Sequence, residues 1–226
     1  VKIRKYRYMK SRKISDKGLI YTCDKKQGKI RKDLKGRISK VLISSTCINK
    51  RISTLAKQIT ADSRKNKIKE LEAVVVLKGA AAFASKLGQE IYKSGGPAMN
   101  FNYIQASSYG TGTVSSGKVS IKGRISPVRH KPVLIVEDII DTGLTMKKLK
   151  NHIEKDLGAS SVKICSLLNK PDRRLPSLRK NFKIDYTGFD VPDVFVAGFG
   201  IDCSGKFREL PYIVAVKEKS FKNKGK

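Results

Sequence analysis

The chain has little that would mark a secreted, zinc-bound or membrane-spanning protein. Its four cysteines, Cys23, Cys47, Cys165 and Cys203, lie far apart and form no C-x-x-C pair, and only two histidines, His130 and His152, could join them. A structural zinc site is therefore not expected. Nor is a disulfide framework, so a reducing compartment is the default. No apolar run approaches the ~20 residues of a membrane span, so no membrane is expected as a partner. No secretory signal is visible, and the first residue is Val. That start suits a trimmed chain or a mature form that has lost a targeting peptide. Acidic residues are scarce: 19 Asp and Glu stand against 49 Lys and Arg, a net charge of +30.

The basic excess is spread along the chain. Residues 1–40 carry 16 basic and 3 acidic side chains, and residues 217–226 carry 5 and 1. Charge of this size points to a polyanion, most plausibly RNA; a lysine-biased, well-solvated surface is the bland alternative. At 226 residues the chain can bury a full core in one domain with a small appendage. Hydrophobic content of 39% and aromatic content of 7% suit a globular protein.

Residues 1–37 are basic, poor in apolar periodicity and broken by Gly18, Gly28 and Gly36. They read as an extension that is partly ordered at best, either an arm along a partner or a frayed terminus. The main domain is expected over 38–217, with a basic tail at 218–226. Val41-Leu42-Ile43 predicts a short strand. Ile48, Ile52, Leu55, Ala56 and Ile59 recur at helical spacing, with Ser44, Ser45 or Thr46 as caps.

Continuous apolar runs predict buried strands at Ala73–Leu77 and Val133–Val136. Met99–Ser108, Val119–Ile121, Val162–Leu168, Ile184–Phe189, Val194–Phe199 and Leu210–Lys217 read as further extended segments. A helix is expected from Thr145 to about Leu157, closed by Gly158. Strands alternating with helices imply right-handed βαβ units, an α/β fold and a mainly parallel sheet.

In such sheets ligands bind beyond the carboxyl ends of the strands, and the polar features of this chain cluster there. Lys78-Gly79 follows one strand; glycine lets backbone approach a ligand and the lysine can meet an anion, although the dipeptide alone is a weak signal. Ser107 to Gly117, rich in Gly, Ser and Thr, reads as a lid. Glu137 and Asp138 end the next strand, where carboxylates suit sugar hydroxyls or a divalent metal. Asp141-Thr142-Gly143-Leu144-Thr145 leads into the helix, and a short loop before a helix N-terminus is a place to hold a phosphate. Asn169-Lys170-Pro171 follows a later strand, and a basic loop with Arg173, Arg174, Arg179 and Lys180 comes after it. A nucleotide-binding loop of the form G-x-x-x-x-G-K-[ST] is absent.

VLIVEDIIDTGLT resembles the phosphoribosyl diphosphate (PRPP) motif of type I phosphoribosyltransferases. LKGA at Leu77–Ala80, SSYGTGTVSSGKV at Ser107–Val119, SLLNKP at Ser166–Pro171 and PDVFVAGFGIDCSGKFRELPYI at Pro192–Ile213 are similar to the hypoxanthine-guanine branch. Together they span roughly 38–217. The resemblance implies a phosphoribosyltransferase-like parallel sheet flanked by helices, with a small hood from C-terminal and N-proximal segments. It implies purine salvage: PRPP and a 6-oxopurine give IMP or GMP plus pyrophosphate, with Mg2+.

What the resemblance implies for each residue is specific. Glu137 and Asp138 hold ribose hydroxyls and a Mg2+. Asp141, Thr142, Gly143 and Thr145 wrap the 5′-phosphate, and Asp141 is the candidate base toward purine N7. Lys78 and Gly79 meet pyrophosphate, and the peptide before the lysine is often cis. Ser108 and Tyr109 sit on the lid. Lys170 donates to the purine O6, Phe195 stacks on the ring, and the Val196 backbone meets its edge. Asp202 binds a second Mg2+ and Arg208 pairs with pyrophosphate.

Phe199, Cys203 and Asn169 depart from the residues usual at their places and bear on which oxopurine is preferred. A homo-oligomer, dimer or tetramer, and a cytoplasmic location are the family defaults. The charge motivates the alternative of an RNA-binding component of a ribonucleoprotein such as an organellar ribosome, in the mitochondrion or another organelle.

Overall fold

The computed structural model describes residues 11–13, 19–21, 30, 32–34, 36–108 and 119–217. The expected basic tail at 218–226 lies outside them. The chain forms two compact units, one of Ile52–Asp193 and one of the residues up to Arg51 together with those from Val194 on.

The larger unit is built on a six-stranded sheet. Its strands are β4 (Glu70–Leu77), β5 (Ala98–Ser108), β6 (Val119–Lys122), β7 (Pro132–Ile140), β8 (Ser161–Asn169) and β9 (Tyr186–Asp190), in the order β6-β5-β4-β7-β8-β9. All neighbours are parallel except β6, which runs antiparallel to β5. Leu71 to Val76 of β4 and Val133 to Val136 of β7 are buried without a break. Helices cover both faces of a parallel sheet, which is why these strands are apolar on both sides. The helix α2 (Ala81–Lys93) links β4 to β5, and α3 (Leu144–Asn151) lies between β7 and β8. The core joins Val74, Ile135 and Ile164 of the sheet to Met146 and Leu149 of α3 and to Ile153.

The chain steps from β4 outward to β5, then returns to place β7 on the other side of β4. A crevice opens at the carboxyl ends of two strands whose connections diverge in this way. Lys78-Gly79 and Glu137-Asp138 stand at those two ends.

The helix α1 (Ser45–Lys65) begins where the caps were expected, and the Cys47 N–H donates to Ser44 Oγ at 3.3 Å. Several boundaries differ from the sequence expectation. The strand β7 runs through Glu137 and Asp138 to Ile140 instead of ending at Val136, because its ladder with β8 continues to the pair Ile140–Asn169. The helix expected to reach Leu157 is α-helical only to Asn151, and its last turn widens so that the Leu157 N–H reaches the His152 carbonyl. The strand expected from Ile184 starts at Tyr186. Here the Asp185 side chain, rather than a strand carbonyl, accepts the Ile164 N–H at 2.9 Å.

The smaller unit holds a five-stranded sheet in the order β1-β2-β3-β11-β10. Its strands are β1 (Ser11–Lys13), β2 (Leu19–Tyr21), β3 (Ile38–Ile43), β10 (Val196–Ala197) and β11 (Ile213–Val216). Two pieces of the N-terminal extension thus pair with each other, and Tyr21 meets Ile43. The extended segment expected over Val194–Phe199 is cut to two residues. Gly198 turns with φ +109° against the Tyr212 carbonyl, where a Cβ has no room. Cys165 and Cys203 are buried and in no disulfide, whereas Cys47 is disulfide-bonded, which corrects the expectation of no disulfides.

Candidate active site

A loop of small residues closes the carboxyl end of β7. Asp141, Thr142 and Gly143 carry the chain into α3, with Gly143 at φ +84° just before the first helical residue. The first N–H groups of a helix have no carbonyl of their own helix to bond. Here those belong to Leu144, Thr145 and Met146, at the positive end of the helix dipole. Thr142 Oγ1 accepts the Leu144 N–H at 3.4 Å. Glu137, Asp141, Thr142, Gly143 and Thr145 line a cavity of about 270 Å³, floored by Val76, Ile140 and Met146. The mixture of backbone donors, hydroxyls and an apolar floor suits a phosphorylated sugar.

The ends of β4 and β7 meet each other. The Asp138 carboxylate lies directly against Gly79, so closely that any side chain at 79 would collide with it. The expected cis peptide is present, between Leu77 and Lys78. Glu137 is buried, and its Oε2 has no hydrogen-bond partner among the described residues. Burial first, then the neighbouring Asp138 charge and hydrogen bond, holds its carboxyl well above the usual carboxylate range. A cation or a sugar hydroxyl would relieve both strains.

Lys170, 7% exposed, is tied to the end of β7 by its backbone N–H, which donates to the Ile140 carbonyl at 2.9 Å. Its ammonium lies 3.8 Å from Asp141 and 3.7 Å from Asp193. At those separations it is ion-paired with both carboxylates but hydrogen-bonded to neither, so its three donors stay available.

The sequence reading did not single out Asp193 or Arg174. Asp193 brackets Lys170 opposite Asp141 and also pairs with Arg173 at 3.6 Å. Arg174 is buried behind the loop. It donates through Nη2 to Asn169 Oδ1, and its guanidinium carbon stands 4.9 Å from the Phe182 ring centre. Asp193 could have been found as the acid in the P-D-V-F-V run. Arg174 looks like one cation of a basic loop, since a sequence does not show which of several arginines turns inward.

The other proposed residues lie elsewhere. Ser108 ends β5 opposite Val119, while Tyr109 and the expected lid through Gly117 lie outside the described residues. Phe195, Val196, Asp202 and Arg208 belong to the smaller unit. Phe195 is 61% exposed, the presentation a stacking ring needs. Val196 is buried in β10. Asp202 and Arg208 meet each other: an oxygen of Asp202 lies 2.6 Å from Arg208 Nη2, and its second oxygen accepts the Gly205 N–H at 2.7 Å. Arg208 Nη1 also donates to the Gly200 carbonyl at 2.7 Å. No group of three or more His, Cys, Asp or Glu among the described residues forms a metal cage.

Residues 44–203 match the phosphoribosyl transferase domain. The chain is 38% identical over 192 residues to the hypoxanthine-guanine phosphoribosyltransferase of Streptococcus pneumoniae, covering 84% of this chain and 99% of that protein. Among solved structures, the hypoxanthine-guanine phosphoribosyltransferase of Bacillus anthracis is 36% identical with a TM-score of 0.69, covering 80% of this chain and 98% of that one. The hypoxanthine phosphoribosyl transferase of Trypanosoma cruzi is 32% identical with a TM-score of 0.74, covering 82% and 94%.

Proposed function

The chain belongs to the phosphoribosyltransferase family, in its hypoxanthine-guanine branch, and from that premise we propose how its residues divide the work. The reaction is purine salvage: the phosphoribosyl group of PRPP passes to hypoxanthine or guanine, giving IMP or GMP and pyrophosphate. The bond from ribose C1 to pyrophosphate breaks as purine N9 bonds to C1. Positive charge gathers on the sugar, so catalysis is chiefly positioning and electrostatic stabilisation.

The observation that supports this division is the meeting of three elements at the switch point of the sheet. Gly79 packs on Asp138, and the Asp141–Thr145 loop opens α3 beside them. In this reading the 5′-phosphate sits on the backbone N–H groups and hydroxyls of Thr142 to Thr145. Glu137 and Asp138 take the ribose hydroxyls. Lys78 and Gly79 meet pyrophosphate, with Ser108 and Tyr109 on the lid. Asp141 accepts the purine N7 proton, and Lys170, held between Asp141 and Asp193, donates to O6. An amino group at purine C6 offers this ammonium no acceptor, so adenine is disfavoured.

The metal is Mg2+. Adjacent hard carboxylate oxygens, one of them buried and unsatisfied, fit an ion that takes one or two carboxylates and keeps its waters. When bound it neutralises the pyrophosphate leaving group. Phe195 stacks on the base, the Val196 backbone meets its edge, Asp202 holds a second Mg2+ and Arg208 meets pyrophosphate; these four roles rest on the motif alone. Because Asp202 and Arg208 are paired, magnesium and pyrophosphate must share or open that ion pair. The enzyme works as a homo-oligomer, and sedimentation of the purified chain tests this.

The decisive experiment incubates the pure chain with PRPP, Mg2+ and hypoxanthine, guanine, xanthine or adenine in turn. IMP and GMP should form and AMP should not. Absence of any nucleotide product would end this reading.

A further inference from the structure

Arg174 is 8% exposed, and its Nη1 finds no hydrogen-bond acceptor among the described residues. A buried unpaired donor is costly and requires a reason. Three contacts define where the guanidinium sits. Nη2 donates to Asn169 Oδ1. The cation rests over the Phe182 ring, 4.9 Å from its centroid. Nη1 presses on Gly143: a Cβ built there would lie 2.5 Å from Nη1 and 3.3 Å from Phe182. The residue after Arg174 is fastened to the same loop, since the Leu175 N–H donates to the Thr142 carbonyl at 3.3 Å. Gly143 is thus required twice, for its φ of +84° and for the space the guanidinium takes.

We propose that Arg174 is a positioning residue for the 5′-phosphate: wedged between Phe182 and Gly143, its guanidinium braces the phosphate loop from behind and sets a buried positive charge against it. The same fork holds Asn169, the neighbour of Lys170, so one side chain touches both the phosphate loop and the segment that reads the base. Burial lowers the pKa of Arg174 from its ordinary value, offset in part by the charges of Asp141 and Asp190; an arginine keeps its charge under such pressure. Only arginine has the shape for the place. A planar fork can stack on a ring, bond sideways and reach forward at once, whereas lysine carries a single point of charge. The loop's own N–H groups supply the direct hydrogen bonds to phosphate. Arg174 holds them convergent and adds charge in a medium that screens it poorly.

This inference rests on the reading that Asp141–Thr145 holds a 5′-phosphate, and the test separates the two. Binding of IMP and of inosine is measured by calorimetry on the full chain and its variants. The two ligands differ only in the phosphate, so a general loosening of the fold weakens both alike. Wild type should prefer IMP; if it binds both equally, the phosphate-loop reading and this proposal fall together. Given that preference, Arg174→Gln should weaken IMP by about tenfold to a hundredfold, the scale of one or two charge-assisted interactions, and inosine by less than about threefold. Arg174→Lys should recover part of the loss by restoring charge without the fork. Unchanged IMP binding in Arg174→Gln, or equal loss of both ligands, overturns the proposal while leaving the loop assignment standing. A lysine variant no better than glutamine overturns the charge role. Should Arg174→Gln not fold, Phe182→Leu keeps the cation but removes its rest. It should weaken IMP by about threefold to tenfold with the same selectivity, and equal loss of both ligands again overturns the proposal.

Discussion

Glu137 and Asp138 are adjacent carboxylates at the end of a buried strand, and one of them resists ionising in the folded protein. The sign of the consequence is fixed. With its pKa raised on folding, Glu137 contributes stability that is complete below its ordinary value of 4.5. That contribution is lost as pH rises from there through the folded value. Glu137→Gln removes the titration while keeping the shape. It should melt a few degrees above wild type at pH 8, the shift about 1 kcal/mol gives in a chain of this size, with the gap closing toward pH 4.5. Turnover should fall in the same variant, since a site that wants a cation is costly without one. Scanning calorimetry across this pH range checks the first statement and a nucleotide assay the second. Asp141 makes a different demand. As the acceptor of a purine proton it should contribute on the order of 10²–10⁴ in rate. Asp141→Asn should lose that much kcat with an unchanged melting temperature; near-normal turnover would refute its role as base.

At the scale of elements, the sheet is pinned at its other end by a polar cluster. Glu72 of β4, 3% exposed, accepts Lys131 at 2.8 Å and Asn100 at 3.2 Å on one oxygen and Asn102 at 3.0 Å on the other. Asn102 in turn accepts the Ser126 N–H at 2.8 Å, which ties the chain entering β7 to β4 and β5. Burial raises the pKa of Glu72, but the hydrogen bonds from Lys131, Asn100 and Asn102 outweigh it, and the net shift is downward. Its stability is therefore present above about 4.5 and lost as pH falls through the folded value. Glu72→Ala should cost about 2 kcal/mol at pH 7, below the usual figure for a broken buried pair because Lys131 is half exposed. Urea melts at pH 7 and pH 3.5 should show the gap shrinking in acid. No such cluster can be read from the sequence, where Glu72 is one polar residue before an apolar run.

The elements that were legible share a physical cause. β4 and β7 are buried on both faces and announce themselves by the runs Ala73–Leu77 and Val133–Val136, while β8 is legible from the apolar residues around Lys163 and Ser166. β1 carries no apolar pattern and pairs at a sheet edge, so nothing in Ser11–Lys13 distinguishes a strand from an arm. The loop that opens α3 was legible because Asp, Thr and Gly between an apolar run and a helical pattern read as a turn. Arg174 was not, because inward burial of a cation is decided by Phe182 and Gly143, which are distant from one another in sequence.

At the scale of the whole molecule the charge of +30 is the property that the transfer reaction leaves unexplained. A site for PRPP and pyrophosphate needs a handful of cations, and Lys78, Lys170 and Arg174 are the ones proposed above. Basic side chains are spread along the sequence, and residues 1–40 alone carry 16 of them. A surface of this kind attracts any polyanion, and its affinity comes from released counterions rather than from shape. The expectation that follows is specific. A fluorescent single-stranded RNA should bind at ~50 mM salt, weaken by at least about tenfold to a thousandfold by ~200 mM, and show no sequence preference. On the proposed reading saturating IMP should not displace it, because the 270 Å³ cavity lined by Asp141, Thr142, Gly143 and Thr145 is one that a polymer backbone has no need to enter. Anisotropy titrations with and without IMP measure both quantities. If no RNA binds at ~50 mM salt, the ribonucleoprotein alternative falls. If IMP competes with RNA, the polymer enters the cradle, and the basic surface and the catalytic site form one continuous binding field.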